Sequence, residues 1–350
     1  MKLRVDSKYI PLMASAMVLL GLYAAGCVAF YDRNFVSPGV VAKLFSENAY
    51  LGIAAIGATF VILSGGIDLS VGSIVAFTSM LVAALCFDGE LDPRLVGEVA
   101  RVLPAQWLPL HPLTAIVIAI VLGTLFGGVM GCLIHFFKLP AFLVTLGGMF
   151  LFRGLAFMIR IEPLSIKQPF YAETITAQLT WIPMDGVRVP LGVFCFLGLF
   201  GVALYLAHFR RFGRNVYAIG GSEESANLMG LPVGKTRILV YTFAGFCSSV
   251  AGVAWTFYTQ KGDSAGAGVG LELEAIASVV IGGTLLSGGV GFLAGTMIGV
   301  LIFGLIQTLI NFQGTLSAWW TRIVVGVLVL VFILLQNFVT AASRSQHRSE

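Results

Sequence analysis

From Ala42 to Phe87 the sequence is nearly continuous apolar residues, and this run restricts the possible fold more than any other feature. A single helix over those 46 residues would be roughly 70 Å long at about 1.5 Å per residue. A hydrocarbon bilayer core is about 30 Å thick, so the chain has to fold back inside the run. The place is "FVILSGGIDLSVGSIVAF", Phe60 to Phe77. Gly65 and Gly66 at its midpoint can end one helix in conformations that other residues resist. Asp68 or Ser70 can cap the next by accepting its free N–H groups.

The bilayer enters this argument through composition. Of 350 residues, 58% are hydrophobic and 11% charged, against roughly 25% charged in a soluble domain. Ten apolar segments approach spanning length: about 11–31, 43–64, 69–87, 112–137, 141–160, 189–208, 236–258, 272–287, 292–312 and 318–340. The expectation is an all-α polytopic membrane protein of about ten transmembrane helices, one transmembrane domain over residues 1–350. With the N-terminus inside, the cytoplasmic segments collect Lys2, Arg4, Lys8, Lys138, Arg210, Arg211, Arg214, Lys235, Arg237, Arg344 and Arg348. The outer loops hold Arg33, Arg94, Arg101, Lys167, Arg188 and Lys261, spread through longer segments. That bias places both termini in the cytoplasm.

Asp68 then has two readings. One is a helix cap near the cytoplasmic face. The other is a carboxylate deeper in the bilayer, where its cost of a few kcal/mol usually marks a water-filled path, so that Asp68 and Ser70 belong to a translocation pathway. A second Gly-interrupted apolar stretch, "SVVIGGTLLSGGVGFLAGT" from Ser278 to Thr296, pairs with the first. Paired interrupted helices mark some transporter repeats, and close packing through small residues produces the same pattern.

No basic stripe interleaved with aromatics points to nucleic acid. Cys27, Cys86, Cys132, Cys195 and Cys247 are scattered through apolar segments and read as small hydrophobes; His111, His135, His208 and His347 lack metal-ligand spacing. "YAAGCVAF" resembles a lipoprotein signal at Cys27, but Ala24 stands where a larger aliphatic is usual, and an uncleaved first helix is the simpler reading. Two long outer loops, about 88–111 and 161–188, carry Trp107, Tyr171 and Trp181 and suit belt aromatics.

The main cytoplasmic loop, about 209–235, contains "GGSEESANLMG". It reads as a short helix over about 222–230: Ser222 as N-cap, Glu223 and Glu224 in the first turn, Ala226, Leu228 and Met229 as apolar contacts, and Gly230 as the stop. So short a helix has to pack on its own membrane domain or on a partner. "GLPVGKT" imitates a phosphate-binding loop, but it is one residue short between the glycines and Pro232 removes a backbone donor. Nucleotide binding by this chain is therefore excluded.

Together, "FVILSGGIDLSVGS", "GRNVYAIGGSEESANLMGL" and "GLELEAIASVVIGGTLLSGGVGFLAGT" resemble the permease subunits of bacterial ABC sugar importers of the ribose and galactose type. "NLMGLPVGKTRI" and "LIQTLINFQGTLSAWWTRI" look closer still to a permease of the galactofuranose importer. The resemblance implies the ABC importer permease fold, with a second permease as heterodimer partner and a periplasmic sugar-binding protein. It also implies a cytoplasmic ABC ATPase that binds ATP and Mg, leaving no cofactor in this chain. The segment Ser222, Glu223, Glu224, Ser225, Ala226, Leu228, Met229 and Gly230 would be the coupling helix, with Glu224 and Ser225 where the family has two alanines.

On this reading the chain is a transport subunit of the inner membrane and does no covalent chemistry. "WTFYTQKGD" offers Trp255, Tyr258, Gln260 and Asp263 near the outer end of a span as sugar contacts, or as an ordinary aromatic belt. An ion-coupled secondary transporter of a small polar solute is the competing class, with Asp68, Glu272 and Glu274 as its candidate carboxylates.

Overall fold

The computed structural model describes residues 9–87, 109–171, 178–179, 189–317 and 319–347. Its helices begin with α1 (Ile10–Ala29), α2 (Pro38–Leu63), α3 (Val71–Leu85), α4 (Pro112–Phe136), α5 (Ala141–Ile159) and α6 (Leu191–Phe209). They continue with α7 (Arg211–Gly221), α8 (Glu223–Leu228), α9 (Val233–Thr259), α10 (Leu271–Ile281), α11 (Leu293–Gln313) and α12 (Trp319–His347). The only strands among the described residues are two-residue pairs: β1 (Leu164–Ser165) with β4 (Lys261–Gly262), and β2 (Gln178–Leu179) with β3 (Val189–Pro190). Lys2, Arg4, Lys8, Arg94, Arg101, Trp107, Trp181, Arg188 and Arg348 lie outside the described residues.

All ten apolar segments contain a helix, but eight helices are long and apolar enough to cross a membrane. The other two segments hold α3, with 15 residues, and α10, with 11. At about 1.5 Å per residue neither reaches across roughly 30 Å of hydrocarbon. Every residue of α3 is buried, so protein rather than lipid surrounds it. That burial is what permits irregular backbone at membrane depth.

The fold-back after α2 occurs where the glycines lie. Gly65 has φ of +79°. Its N–H donates to the Ile62 carbonyl at 2.9 Å, and the Gly66 N–H reaches the Val61 carbonyl at 2.9 Å, closing a Schellman turn. An alanine at Gly65 would hold a left-handed backbone conformation costing about 1–2 kcal/mol. Gly65→Ala should therefore lower the thermal unfolding midpoint of the purified permease without changing its helix content.

Two faces of the bundle are fixed by packing. At one, the Gly289 N–H donates to the Leu63 carbonyl at 3.0 Å, and Gly220 of α7 lies against the same carbonyl. The start of α1 joins them, with Pro11 beside Gly283 and Ser15 Oγ donating to the Ile281 carbonyl. So does α12, whose Gln336 Nε2 donates to the Val280 carbonyl at 3.2 Å. Both described ends of the chain thus approach the face carrying α7 and α8. Arg33 and Lys261 sit toward the far face, where Arg33 donates to the Phe312 carbonyl at the end of α11.

At the centre, α2 is buried over Asn48–Leu63 and α9 packs along α2, α3 and α4. Helix α1 runs unbroken through Cys27 and packs on α11. Tyr171 is not a belt aromatic: it is fully buried, with its hydroxyl against Thr256 of α9. The reason is a long-range pairing: β1 pairs with β4 and draws this loop under the end of α9.

Candidate functional site

Two interrupted spans meet inside the bundle. In the first, the chain leaves α2 at the α7 face, runs without helix from residue 64 to 70, and continues as α3. In the second, it leaves α9 at the far face, where Gln260 adopts φ of +53°, and passes inward through β4 to α10. A Cβ on Gly72 would run into the Gly268 carbonyl, and one on Gly268 into the Gly72 carbonyl. The two backbones therefore touch at a crossing. From it α3 departs for the far face and α10 for the α7 face, so the two half-helices run in opposite directions from adjacent N-terminal ends.

This geometry fixes the surroundings of Asp68. Ser70 is the N-cap of α3 and neither it nor Asp68 makes the expected side-chain bond to the first turn; Asp68 instead holds Ser70, its Oδ1 accepting from the Ser70 N–H at 2.8 Å and from the Ser70 hydroxyl at 2.6 Å. It lies inside the bundle. Gly66 packs against the Tyr241 hydroxyl, two turns into α9, and the Ile67 carbonyl accepts from Thr145 inside α5 at 3.3 Å. Asp68 is 3% exposed. Its Oδ2 and the nearby Tyr241 hydroxyl are buried without a hydrogen-bond partner. The buried carboxyl stands just before α3, and that helix starts inside the bundle.

Sequence reading passed over Arg153. Its Nη1 donates to the carbonyls of Ser264 and Ala267 at 2.8 and 2.9 Å, holding the non-helical half of the second span. Charge-assisted bonds of this kind contribute roughly 1.5–3 kcal/mol each. A lone arginine in "MFLFRGLAFM" was the available signal. Glu272, in the first turn of α10, has its carboxylate against Gly72 and adds a second acidic group to the crossing.

The far-face residues form a separate group. Trp255 packs edge-on against Tyr50 at 5.1 Å, with its indole N–H buried and unpartnered. Tyr258 is 49% exposed and its hydroxyl lies 3.5 Å from Glu47. The Gln260 carbonyl accepts from the Ile166 N–H at 2.9 Å. Asp263 Oδ1 accepts from the N–H groups of Ala265 and Gly266 at 3.1 and 2.7 Å, and Lys261 approaches its Oδ2 at 3.3 Å. The structure thus joins Asp68 to Ser70 at the crossing and leaves Trp255, Tyr258, Gln260 and Asp263 at or just beyond the far-face end of α9.

On the opposite face α8 has the predicted ends. Ser222 Oγ accepts from the Ser225 N–H at 3.2 Å. Gly230, at φ of +74°, closes a second Schellman turn through Gly230 N–H to Asn227 O at 2.9 Å and Leu231 N–H to Ala226 O at 3.0 Å. Ala226 is buried with Ile219, Val233 and Leu231. Leu228 and Met229 make no such contact: they are 83% and 68% exposed. A six-residue helix has one narrow side to bury, and Ala226 occupies it.

Glu223 pairs with Arg237 at 2.5 Å, tying α8 to the start of α9, while Glu224 is exposed. Helix α7 ties the unit to the bundle. Phe212 stacks on Phe60 at 5.6 Å, and Tyr217 donates its hydroxyl proton to the Gly291 carbonyl at 3.0 Å. Burial pushes the Tyr217 phenol above its usual range, so it remains the donor. Through Gly220 and Gly221 the α7–α8 unit therefore touches both interrupted spans at their ends on this face, at Leu63 and at Gly289.

Membrane-length helices packed around two opposed half-helices, with a helical shelf on one face, define a multi-pass transport subunit. Residues 40–333 match the family described as branched-chain amino acid transport system / permease component, and the chain belongs to it. It is 44% identical over 336 residues, 95% of each chain, to the inner membrane ABC transporter permease protein YjfF of Escherichia coli. It is 34% identical over 342 residues to the fructose import permease protein FruG of Bifidobacterium longum, covering 97% of this chain and 94% of the relative. It is also 33% identical over 331 residues to the ribose import permease protein RbsC of Escherichia coli, covering 93% and 94%. No solved structure matches it. The chain is thus a multi-pass inner-membrane permease component and not an enzyme.

Proposed function

We propose that this chain is one permease of an ATP-driven importer that carries a monosaccharide, galactofuranose, from periplasm to cytoplasm. Sugar as the cargo class is supported by relatives named as fructose and ribose import permeases. The furanose assignment rests on the motifs around Asn227–Ile238 and Leu305–Ile323. In this reading a second, different permease completes the path, a periplasmic binding protein delivers the sugar to the far face, and both chain ends are cytoplasmic. A separate ABC ATPase binds ATP and Mg and docks on α8 through residues 222–230.

One observation carries the mechanism. The shelf that leaves Leu228 and Met229 free for a partner also grips Leu63 and Gly289. A push on α8 is thereby delivered to the inner ends of both interrupted spans, and these meet again at Gly72 and Gly268. Opposed half-helices can tilt about that contact without breaking long helices, which opens one face as the other closes. Sugar enters past Trp255, Tyr258, Gln260 and Asp263. Ser70 and the free oxygen of Asp68 face its passage at the crossing.

The test is to purify the chain with its native partners, identify them, and measure uptake into proteoliposomes. ATP-dependent uptake of galactofuranose above the pyranose form supports the proposal. Equal uptake of both forms removes the furanose assignment. Uptake that persists without ATP and collapses with an ion gradient would establish the ion-coupled class instead.

A further inference from the structure

We infer that the junction of α6 and α7 is a binding site for the phosphate headgroup of an anionic phospholipid. A concavity of about 620 Å³ opens there, lined by Leu206, Phe209, Arg210, Arg211, Phe212 and Arg214. All three arginines are exposed. None has a carboxylate within ion-pair distance among the described residues. Glu223, close by in the chain, is already held by Arg237. Three positive charges without a carboxylate partner line one cavity and make it a favourable place for an anion from outside the chain.

The walls indicate which anion. Tyr205, 50% exposed, and Phe209, 73% exposed, lie at the end of α6, a membrane-length apolar helix. Arg210 stacks over the Tyr205 ring at 5.6 Å, and Tyr205 and Phe209 stack on each other at 5.9 Å. The cavity therefore has an apolar wall continuous with the bilayer-facing side of a span and a cationic floor at its end. Aromatic rings and arginines at this level are the setting of lipid headgroups. The planar guanidinium fork suits phosphate oxygens. A soluble anion would leave the exposed rings of Tyr205 and Phe209 without contact, whereas acyl chains of a bound phospholipid cover them.

The experiment uses the full-length permease in its native complex, purified in detergent and titrated with phosphatidylglycerol or phosphatidylcholine. Retained lipid is quantified by mass spectrometry. Phosphatidylglycerol is expected to be retained in preference to phosphatidylcholine. Each of Arg211→Gln and Arg214→Gln should lower its retention about five-fold, from roughly 1 kcal/mol per basic residue near an anionic surface. Replacing all three arginines by lysine should leave a weaker preference, because the ammonium keeps the charge but not the planar fork. These side chains have no carboxylate partner to lose, so the unfolding midpoint of each variant should match that of the parent. Unchanged phosphatidylglycerol retention in the glutamine variants would overturn the inference. So would displacement of the lipid by inorganic phosphate alone, or loss of the ATPase subunit with lipid retention intact. The last result would make the arginines a protein contact.

Discussion

Valine at Gly72 or at Gly268 is expected to eliminate transport and to reduce sharply the amount of folded permease. Each Cβ would occupy the space of the other strand's carbonyl oxygen, and at Gly72 also that of the Glu272 carboxylate. Neither backbone can retreat. Residues beyond Gly268 lead straight into α10, and Arg153 holds the carbonyls just before it. Overpacking a filled interior typically costs 1–3 kcal/mol, occasionally more, against a total stability of roughly 5–15 kcal/mol. Gly147→Ala and Gly198→Ala provide the contrast. Both lie in helices with no heavy atom within 4 Å of the added Cβ, and each should gain about 1 kcal/mol or less from helix propensity. Thermal unfolding of the four variants separates a steric crossing from a general intolerance of glycine replacement.

Leu228→Ser combined with Met229→Ser should produce the second large effect, on coupling and not on folding. These side chains are exposed, so their loss should change permease stability by about 0.5 kcal/mol or less. As the apolar centre of a docking surface they would carry hot-spot energies of about 2 kcal/mol or more each. ATP-driven uptake is expected to fall at least about ten-fold, with the ATPase recovered at lower yield from a pull-down of the permease. Wild-type uptake in the double variant would place the docking contact elsewhere.

The sequence was most legible where local chemistry decides the structure. Gly65–Gly66 turn the chain at the predicted place and Ser222 and Gly230 bound α8, because each outcome depends on bonds made within a few residues. What remained hidden was depth. The segments 69–87 and 272–287 have the hydropathy of ordinary spans, and nothing in their composition shows that α3 is enclosed by protein or that both half-helices start at one level. Arg153 was visible as a charge in an apolar run, but its acceptors lie 111 and 114 residues away in the sequence. Tyr171 was misplaced for the same reason, since its burial depends on the pairing of β1 with β4. Leu228 and Met229 read as apolar contacts with either the membrane domain or a partner; only the fold of α8 on Ala226 shows that they are exposed.

Force applied at α8 should reach the crossing of the two interrupted spans. The most direct test is a distance across the second span, in protein whose five native cysteines have been replaced by serine. Spin labels would be placed at Leu286, exposed beside the α7–α8 shelf, and at Val269, exposed at the crossing. In the reconstituted importer the distance distribution between them should shift when ATP is added and return after hydrolysis. The Leu228→Ser, Met229→Ser variant should show no shift. Sugar uptake proceeding with ATP while the wild-type distribution stays unchanged would contradict the account.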